Sequence, residues 1–389
     1  MARALTNRYH WVHTTQGAPV TERLIMLAAG GTGGHLFPAF ALAEELGRRG
    51  LVVELVTDMR GDRYGTGFPA RAVHRIHSAT LAGKNPISVA KTGMSLARGV
   101  RQAFALMGKN RPAAVVGFGG YPSFPPLVAA NMRRIPSILH EQNAVLGRAN
   151  RMLAKRVDLI ATSFASVSNI DPEIAGKIRF TGNPVRQAVL DQAGRPYWPP
   201  AAGQPFRLLV FGGSQGARYF SDAVPPGLAM LSPDLRARLQ VIQQAREEDV
   251  ERTRAAYASA GIAAEIAPFF RDLPRIMAES HLVVARAGAS SVAELAVIGR
   301  PSILVPLPHA LDNDQLRNAT TLAESGGAWC IEQKDVTAAV LADAMTQAAD
   351  APEALAAAAA AAKAQGRPDA VARLADLVIG ISGGGVPKA

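Results

Sequence analysis

Leu24-Ile25-Met26-Leu27-Ala28-Ala29-Gly30-Gly31-Thr32-Gly33-Gly34-His35 is the stretch that decides the fold. Six apolar residues predict a strand buried on both faces, the glycines a tight turn, and Phe37 to Arg48 a helix by their spacing. A glycine turn between a parallel strand and a helix points unpaired backbone N–H groups, and the positive end of the helix dipole, at whatever sits above it. The pattern returns in the second half, where Phe206 to Phe211 runs into Gly212-Gly213-Ser214-Gln215-Gly216. Two such openings in one chain predict two similar halves with a cleft between them.

Working outward, 389 residues suit two domains, each large enough for its own core. The single cysteine, Cys330, excludes an intramolecular disulfide. Residues 1–23 carry Arg3, Arg8, His10, Trp11, His13 and Glu22 and lack the apolar core of a signal peptide. No run approaches the roughly 20 apolar residues of a spanning helix, so a soluble or peripherally bound cytoplasmic protein is expected. The net charge of +11 is uneven: residues up to Arg186 hold 24 Lys and Arg against 10 Asp and Glu, whereas the rest hold 18 against 21. That asymmetry predicts an anionic surface or ligand for the first half, and nucleic acid and anionic lipid both fit its sign.

Strand-like runs alternate with helical ones throughout. Leu24 to Ala29, Val52 to Thr57, Ala114 to Val116, Ser137 to His140 and Leu159 to Ala161 form the first series. Arg207 to Phe211, Leu239 to Ile242, Ala264 to Ala267, Leu282 to Ala285 and Ser302 to Val305 form the second. Alternation of this kind predicts right-handed βαβ crossovers and parallel sheets, an α/β fold with two doubly wound domains. The proline-rich segment 191–205 reads as the linker, with an extension at 1–23, domains at 24–190 and 206–375, and a flexible tail at 376–389.

The first glycine turn fails the dinucleotide fingerprint G-x-G-x-x-G at its last position, where His35 stands. An NAD-dependent oxidoreductase is thereby disfavoured, and His35 is placed to face a ligand as a proton acceptor, because imidazole exchanges protons near neutral pH. A third cluster, Gly117-Phe118-Gly119-Gly120-Tyr121-Pro122-Ser123, and the polar run His140-Glu141-Gln142-Asn143 follow strands of the same sheet and share its rim. Arg186 ends the turn Thr181 to Arg186 and is placed to pair with a phosphate. In the second half, Arg286-Ala287-Gly288-Ala289-Ser290-Ser291-Val292-Ala293-Glu294 opens a helix with small residues that admit a diphosphate, and Glu294 is placed to accept ribose hydroxyls. Asp312-x-Asp314 spells a metal motif of another class of sugar transferase, but its position after the last strand favours Gln315 and its neighbours as partners of sugar hydroxyls.

These phrases, with Gly182 to Arg186, Gly212 to Arg218 and Gln315 to Ala319, resemble the MurG family of N-acetylglucosaminyltransferases, in family order over roughly residues 24–375. The resemblance implies the GT-B fold, two Rossmann-like domains facing each other across a cleft, the first for the acceptor and the second for the nucleotide sugar. It implies inverting transfer of GlcNAc from UDP-GlcNAc to the C4 hydroxyl of MurNAc on lipid I, giving lipid II in peptidoglycan synthesis. Carried over by position, Thr32, Gly33, Gly34, Asn143, Arg186, Ser214, Phe270, Ala289, Ser290, Ser291, Val292, Ala293, Glu294 and Gln315 fall on nucleotide-sugar contacts. His35 is expected as the base, with Glu141 also catalytic, and Gly119, Gly120 and Tyr121 are expected to hold the acceptor pyrophosphate. Phe270 stands where the family often has isoleucine, and Asp314 where it commonly has histidine or glutamine. UDP-GlcNAc is expected as a substrate, not a cofactor, and no tightly bound metal is expected. The expected partners are lipid I, an anionic membrane surface on the cytoplasmic face of the bacterial inner membrane and other cell-wall synthesis proteins, with no nucleic acid.

The membrane expectation also has a basis in spacing: Lys84, Lys91, Arg98 and Arg101 fall on one stripe of a helix over Leu81 to Met107, beside an apolar stripe of Ile87, Ala90, Met94 and Ala97. Two other readings are open: a different UDP-sugar enzyme of the same fold, such as a glycolipid glycosyltransferase or an epimerase, and a non-catalytic nucleotide-binding protein that docks on membranes.

Overall fold

The computed structural model describes residues 23–30, 33–58, 67–79, 85–213 and 216–383. The first sheet contains β1 (Leu24–Ala28), β2 (Val52–Thr57), β3 (Ala72–Arg75), β4 (Ala114–Gly117), β5 (Ser137–Glu141), β6 (Leu159–Thr162) and β7 (Ile178–Phe180), all parallel, in the order β3-β2-β1-β4-β5-β6-β7. The second contains β8 (Phe206–Phe211), β9 (Leu239–Gln244), β10 (Ala263–Ala267), β11 (Leu282–Ala285), β12 (Ser302–Leu304) and β13 (Ala328–Cys330), in the order β10-β9-β8-β11-β12-β13.

Strand periodicity explains the layering. Ile25 and Leu27 enter one apolar layer together with Val53 and Leu55, while Met26 and Val56 point to the opposite one. A sheet covered on both faces wants apolar residues at every position, and all five residues of β1 are buried. The order of each sheet reverses beside its first strand, between β1 and β4 and between β8 and β11. Such switch points open a crevice outside the carboxyl ends of the strands. The glycine turns after β1 and β8 and the loops after β4 and β11 therefore all lie along that crevice.

The domain limits differ from those read in the sequence. Val185 and Val189 are buried among Leu209, Phe211 and Met277 of the second domain, so the chain has crossed over before residue 190. The linker is docked: Tyr197 donates its hydroxyl to His281 O at 2.9 Å, and Arg300 donates to Pro196 O at 3.3 Å. The described part of the expected tail, 376–383, belongs almost wholly to a helix, Ala370–Ser382, that returns to the first domain. Its Leu374, Ala375, Val378 and Ile381 complete the core beneath the helix Gly33–Arg48, and Arg49 pairs with Asp376 at 2.5 Å. Apolar residues at 374, 375, 378 and 381 follow helical spacing, and burying them outweighs the entropy that would keep a tail loose. Residues 384–389, like 1–22, lie outside the described residues.

The basic helix runs Pro86–Asn110, later than the expected 81–107, and Lys84 and the Ile87 side chain lie outside the described residues. Its Thr92, Gly99, Ala103 and Met107 are buried. At Gly99 a β-carbon would stand 2.0 Å from His77 O, so only glycine lets the helix lie this close to the backbone that follows β3, and Pro125 of the helix Gly120–Arg133 is 3.1 Å away. Lys91, Ala90, Ala97, Arg98 and Arg101 are exposed on the other side, together with Val89 and Met94, the latter at 66%. Among the described residues no helix is long and apolar enough to cross a membrane.

Candidate active site

A cleft of about 990 Å³ lies between the domains, lined by Gly33, Gly34 and Phe37 from the first, by Arg186 from the crossover segment and by residues including Gly212, Phe270 and Glu294 from the second. On the second-domain side, the helix Ala289–Ile298 begins at the cleft with Ala289, Ser290 and Ser291 in its wall. The N–H groups of these three precede the first closed turn, which starts with Val292 N on Gly288 O at 3.0 Å. The Ser290 hydroxyl is buried without a protein partner. Dipole and free donors make this helix end suited to an anion.

Val292 and Ala293 lie behind this helix start. The Val292 side chain is 4% exposed in the second-domain core, Ala293 packs against that core, and the Val292 N–H is already bonded. Neither is among the residues that line the cleft. Thr32 and Ser214 lie outside the described residues.

Arg186 and Glu294 meet in the wall of the cleft. Arg186 donates to Glu294 Oε1 at 3.0 Å and stacks over the Phe37 ring at 4.7 Å. Burial raises the pKa of Glu294, and the neighbouring guanidinium opposes that rise. Gln315 also lines the cleft and accepts the Leu307 N–H at 3.0 Å. Asp312 pairs with Arg148 at 3.5 Å and Arg151 at 3.3 Å, which ties the two domains together at the rim.

On the first-domain side, the turn at Gly119 and Gly120 adopts φ of 83° and 67°, the left-handed region that favours glycine. A β-carbon on Gly120 would sit 3.3 Å from His35 Nε2, so this glycine leaves the imidazole uncovered. Tyr121 is half-buried in the first turn of the helix Gly120–Arg133, at the same rim. His35 Nδ1 lies 2.9 Å from Gln142 Oε1.

Glu141, expected to be catalytic, is held by the loop that follows it. Its side chain is buried, and Oε1 accepts from Asn143 N at 3.0 Å and Asn143 Nδ2 at 3.3 Å. Oε2 accepts from Gly147 N at 2.9 Å and Asn150 Nδ2 at 2.6 Å. Burial raises its pKa against these donors, which stabilise the carboxylate. Both oxygens are thus committed to holding the loop 143–150. Glu141→Gln puts an amide NH2 against N–H donors, and we expect a loss of about 1–3 kcal/mol in stability, read from the urea midpoint.

Asn143 faces another asparagine. Its Oδ1 accepts from Asn318 Nδ2 at 3.0 Å, while Asn318 also donates to Ala287 O at 3.1 Å and accepts from Ala144 N at 2.8 Å. Asn318 is 0% exposed and joins the two domains directly behind the cleft. The sequence singled out Gln315 nearby and gave Asn318 no role of its own. The available signal was a polar residue beside Ala319 and Leu322 on the buried face of the helix Asp314–Glu324.

Comparisons with known proteins agree on one family. The glycosyltransferase family 28 N-terminal domain matches residues 25–162, and its C-terminal domain matches residues 207–374. The UDP-N-acetylglucosamine–N-acetylmuramyl-(pentapeptide) pyrophosphoryl-undecaprenol N-acetylglucosamine transferase of Chelativorans sp. (strain BNC1) is 53% identical over 362 residues, covering 93% of this chain and 96% of its own. The protein of that name from Rhodopseudomonas palustris (strain ATCC BAA-98 / CGA009) is 56% identical over 355 residues, covering 91% and 97%. The crystal structure of Acinetobacter baumannii MurG superposes with a TM-score of 0.75 at 29% identity, covering 92% of this chain and 99% of that one. With two parallel-sheet domains, a cleft at both switch points and matches over both halves, the chain belongs to the MurG family of GT-B glycosyltransferases.

Proposed function

We propose that the protein transfers GlcNAc from UDP-GlcNAc to the C4 hydroxyl of MurNAc in lipid I, with inversion, forming lipid II for peptidoglycan synthesis. The observation that carries this reading is one cleft with Gly33 and Gly34, which lead into His35, on one wall and the helix start at Ala289 to Ser291 on the other. Those N–H groups and the Ser290 hydroxyl would take the diphosphate as negative charge grows on it. Glu294 would accept the ribose hydroxyls, with Arg186 moving from the carboxylate to a phosphate, and Phe270 would border the uracil. Gln315 would meet the sugar. His35 Nε2 would take the C4 hydroxyl proton while that oxygen bonds to C1 and the C1–O bond to UDP breaks with its electron pair. Gly119, Gly120 and Tyr121, at the start of a helix, would hold the acceptor pyrophosphate.

UDP release from UDP-GlcNAc is expected only when a lipid I analogue is present. Release without an acceptor, or conversion of the nucleotide sugar alone, would instead favour an epimerase or hydrolase.

The membrane face belongs to the same reading. The helix Pro86–Asn110 exposes Lys91, Arg98 and Arg101 beside Val89 and Met94, and it packs on the helix that begins at the acceptor loop. This face supports peripheral attachment to the anionic cytoplasmic leaflet, where lipid I and the other wall enzymes serving cell shape and division would be met. Each basic residue contributes about 1 kcal/mol at such a surface. Replacing all three with alanine should weaken binding to phosphatidylglycerol-containing vesicles about 100-fold in a sedimentation assay, with the difference fading as salt is raised.

A further inference from the structure

We propose that Gln142 and His140 are positioning residues that hold His35 as its Nδ1–H tautomer, leaving the Nε2 lone pair beside Gly120 to receive the proton. The inference rests on the reading of His35 as the base and adds how its proton is placed.

The direction of every hydrogen bond follows from two backbone carbonyls, which only accept. His140 Nε2 lies 3.3 Å from Gly182 O, so that nitrogen carries a hydrogen. His140 is 0% exposed, and burial lowers its pKa to about 4, so it is neutral at working pH and its Nδ1 is an acceptor. Gln142 Nε2 donates to that Nδ1 at 2.8 Å and to His140 O at 2.9 Å. The amide is thereby oriented, and its other end, Oε1, faces His35 Nδ1 at 2.9 Å. A carbonyl oxygen cannot donate, so His35 Nδ1 must. A neutral imidazole with hydrogen on Nδ1 is bare at Nε2.

Reversing any link would set two donors or two acceptors face to face, where Gln142 is 2% exposed and His140 is fully buried. An imidazole left to water favours the opposite tautomer, with hydrogen on Nε2, which could not take a proton there. After transfer, His35 is an imidazolium whose Nδ1–H still points at Gln142 Oε1. The arrangement orients the base as a carboxylate does in a catalytic triad, but with a neutral amide.

The test is the nitrogen spectrum of the whole protein labelled with 15N-histidine, with His35→Gln used to assign the His35 signals. We expect Nδ1 to resonate as a protonated nitrogen and Nε2 as an unprotonated one at neutral pH. In Gln142→Leu we expect the Nε2–H form to appear and kcat with a lipid I analogue to fall about 100-fold, with KM for UDP-GlcNAc nearly unchanged. Gln142→Glu keeps an acceptor for Nδ1–H, so it should keep the tautomer and turn over faster than the leucine variant. Hydrogen on Nε2 in the wild-type protein, in an enzyme that His35→Ala inactivates, would overturn the positioning proposal alone. So would a leucine variant with unchanged tautomer and kcat. Normal turnover in His35→Ala would instead remove the base assignment, and with it the purpose of the tautomer.

Discussion

His35→Ala should lower kcat for GlcNAc transfer about 10³-fold while leaving UDP-GlcNAc affinity near that of the parent enzyme. A positioned general base contributes roughly 10²–10⁴-fold, and the alanine variant leaves the attacking hydroxyl with only water to take its proton. Affinity should hold because the donor contacts proposed here come mainly from the second-domain helix start and Glu294, whereas the hydrogen bond of His35 is to Gln142. Single-turnover UDP release and titration calorimetry with UDP-GlcNAc separate the two quantities. Turnover near the parent level would exclude His35 as the base, and with Glu141 already saturated by four hydrogen bonds the proton would need another acceptor.

Glu294→Ala should act on the other side of the reaction. We expect KM for UDP-GlcNAc to rise about 100-fold or more, because hydrogen bonds from ribose hydroxyls to a carboxylate contribute roughly 1.5–3 kcal/mol each. The carboxylate is 8% exposed and held ready by Arg186, so it is ordered before the nucleotide arrives. Glu294→Gln retains one acceptor and should fall between the two. Competition by UDP alone should weaken in parallel, since the contact is to the nucleotide and not to the sugar. An alanine variant with unchanged KM and unchanged UDP inhibition would move the ribose elsewhere.

The central strands were legible because each is a short apolar run closed by glycine or polar residues. Three of the four edge strands were not. Ala72–Arg75, Ile178–Phe180 and Ala328–Cys330 are three or four residues long and partly exposed, so no periodicity distinguishes them from loops. The domain limits were misplaced for a different reason. Proline marks where helices stop, not where the core changes owner, and Val185, Val189 and the helix Ala370–Ser382 are assigned to their domains only by long-range packing.

At the site, backbone features were readable and side-chain commitments were not. Gly119, Gly120 and the small residues at Ala289 to Ser291 announce close approach and open helix ends. His140-Glu141-Gln142-Asn143 announces polar chemistry at a strand end, but not which member faces the cleft. In β5, alternation puts His140 and Glu141 on opposite faces, and the turn after it decides that Gln142 meets His35 while Glu141 binds its own loop. Asn318 was equally opaque, since its three partners lie on two loops of different domains.

The anomeric configuration of the product tests the central claim most directly. UDP-GlcNAc carries its sugar in the α linkage, so a single displacement by the C4 hydroxyl, with His35 taking the proton, gives a β-linked disaccharide on the lipid I analogue. A β-linked product, readable from the anomeric proton coupling and formed by the parent enzyme but not by His35→Ala, is the predicted result. An α-linked product would require retention through a second step, and would contradict the account of this cleft as an inverting transferase with one base.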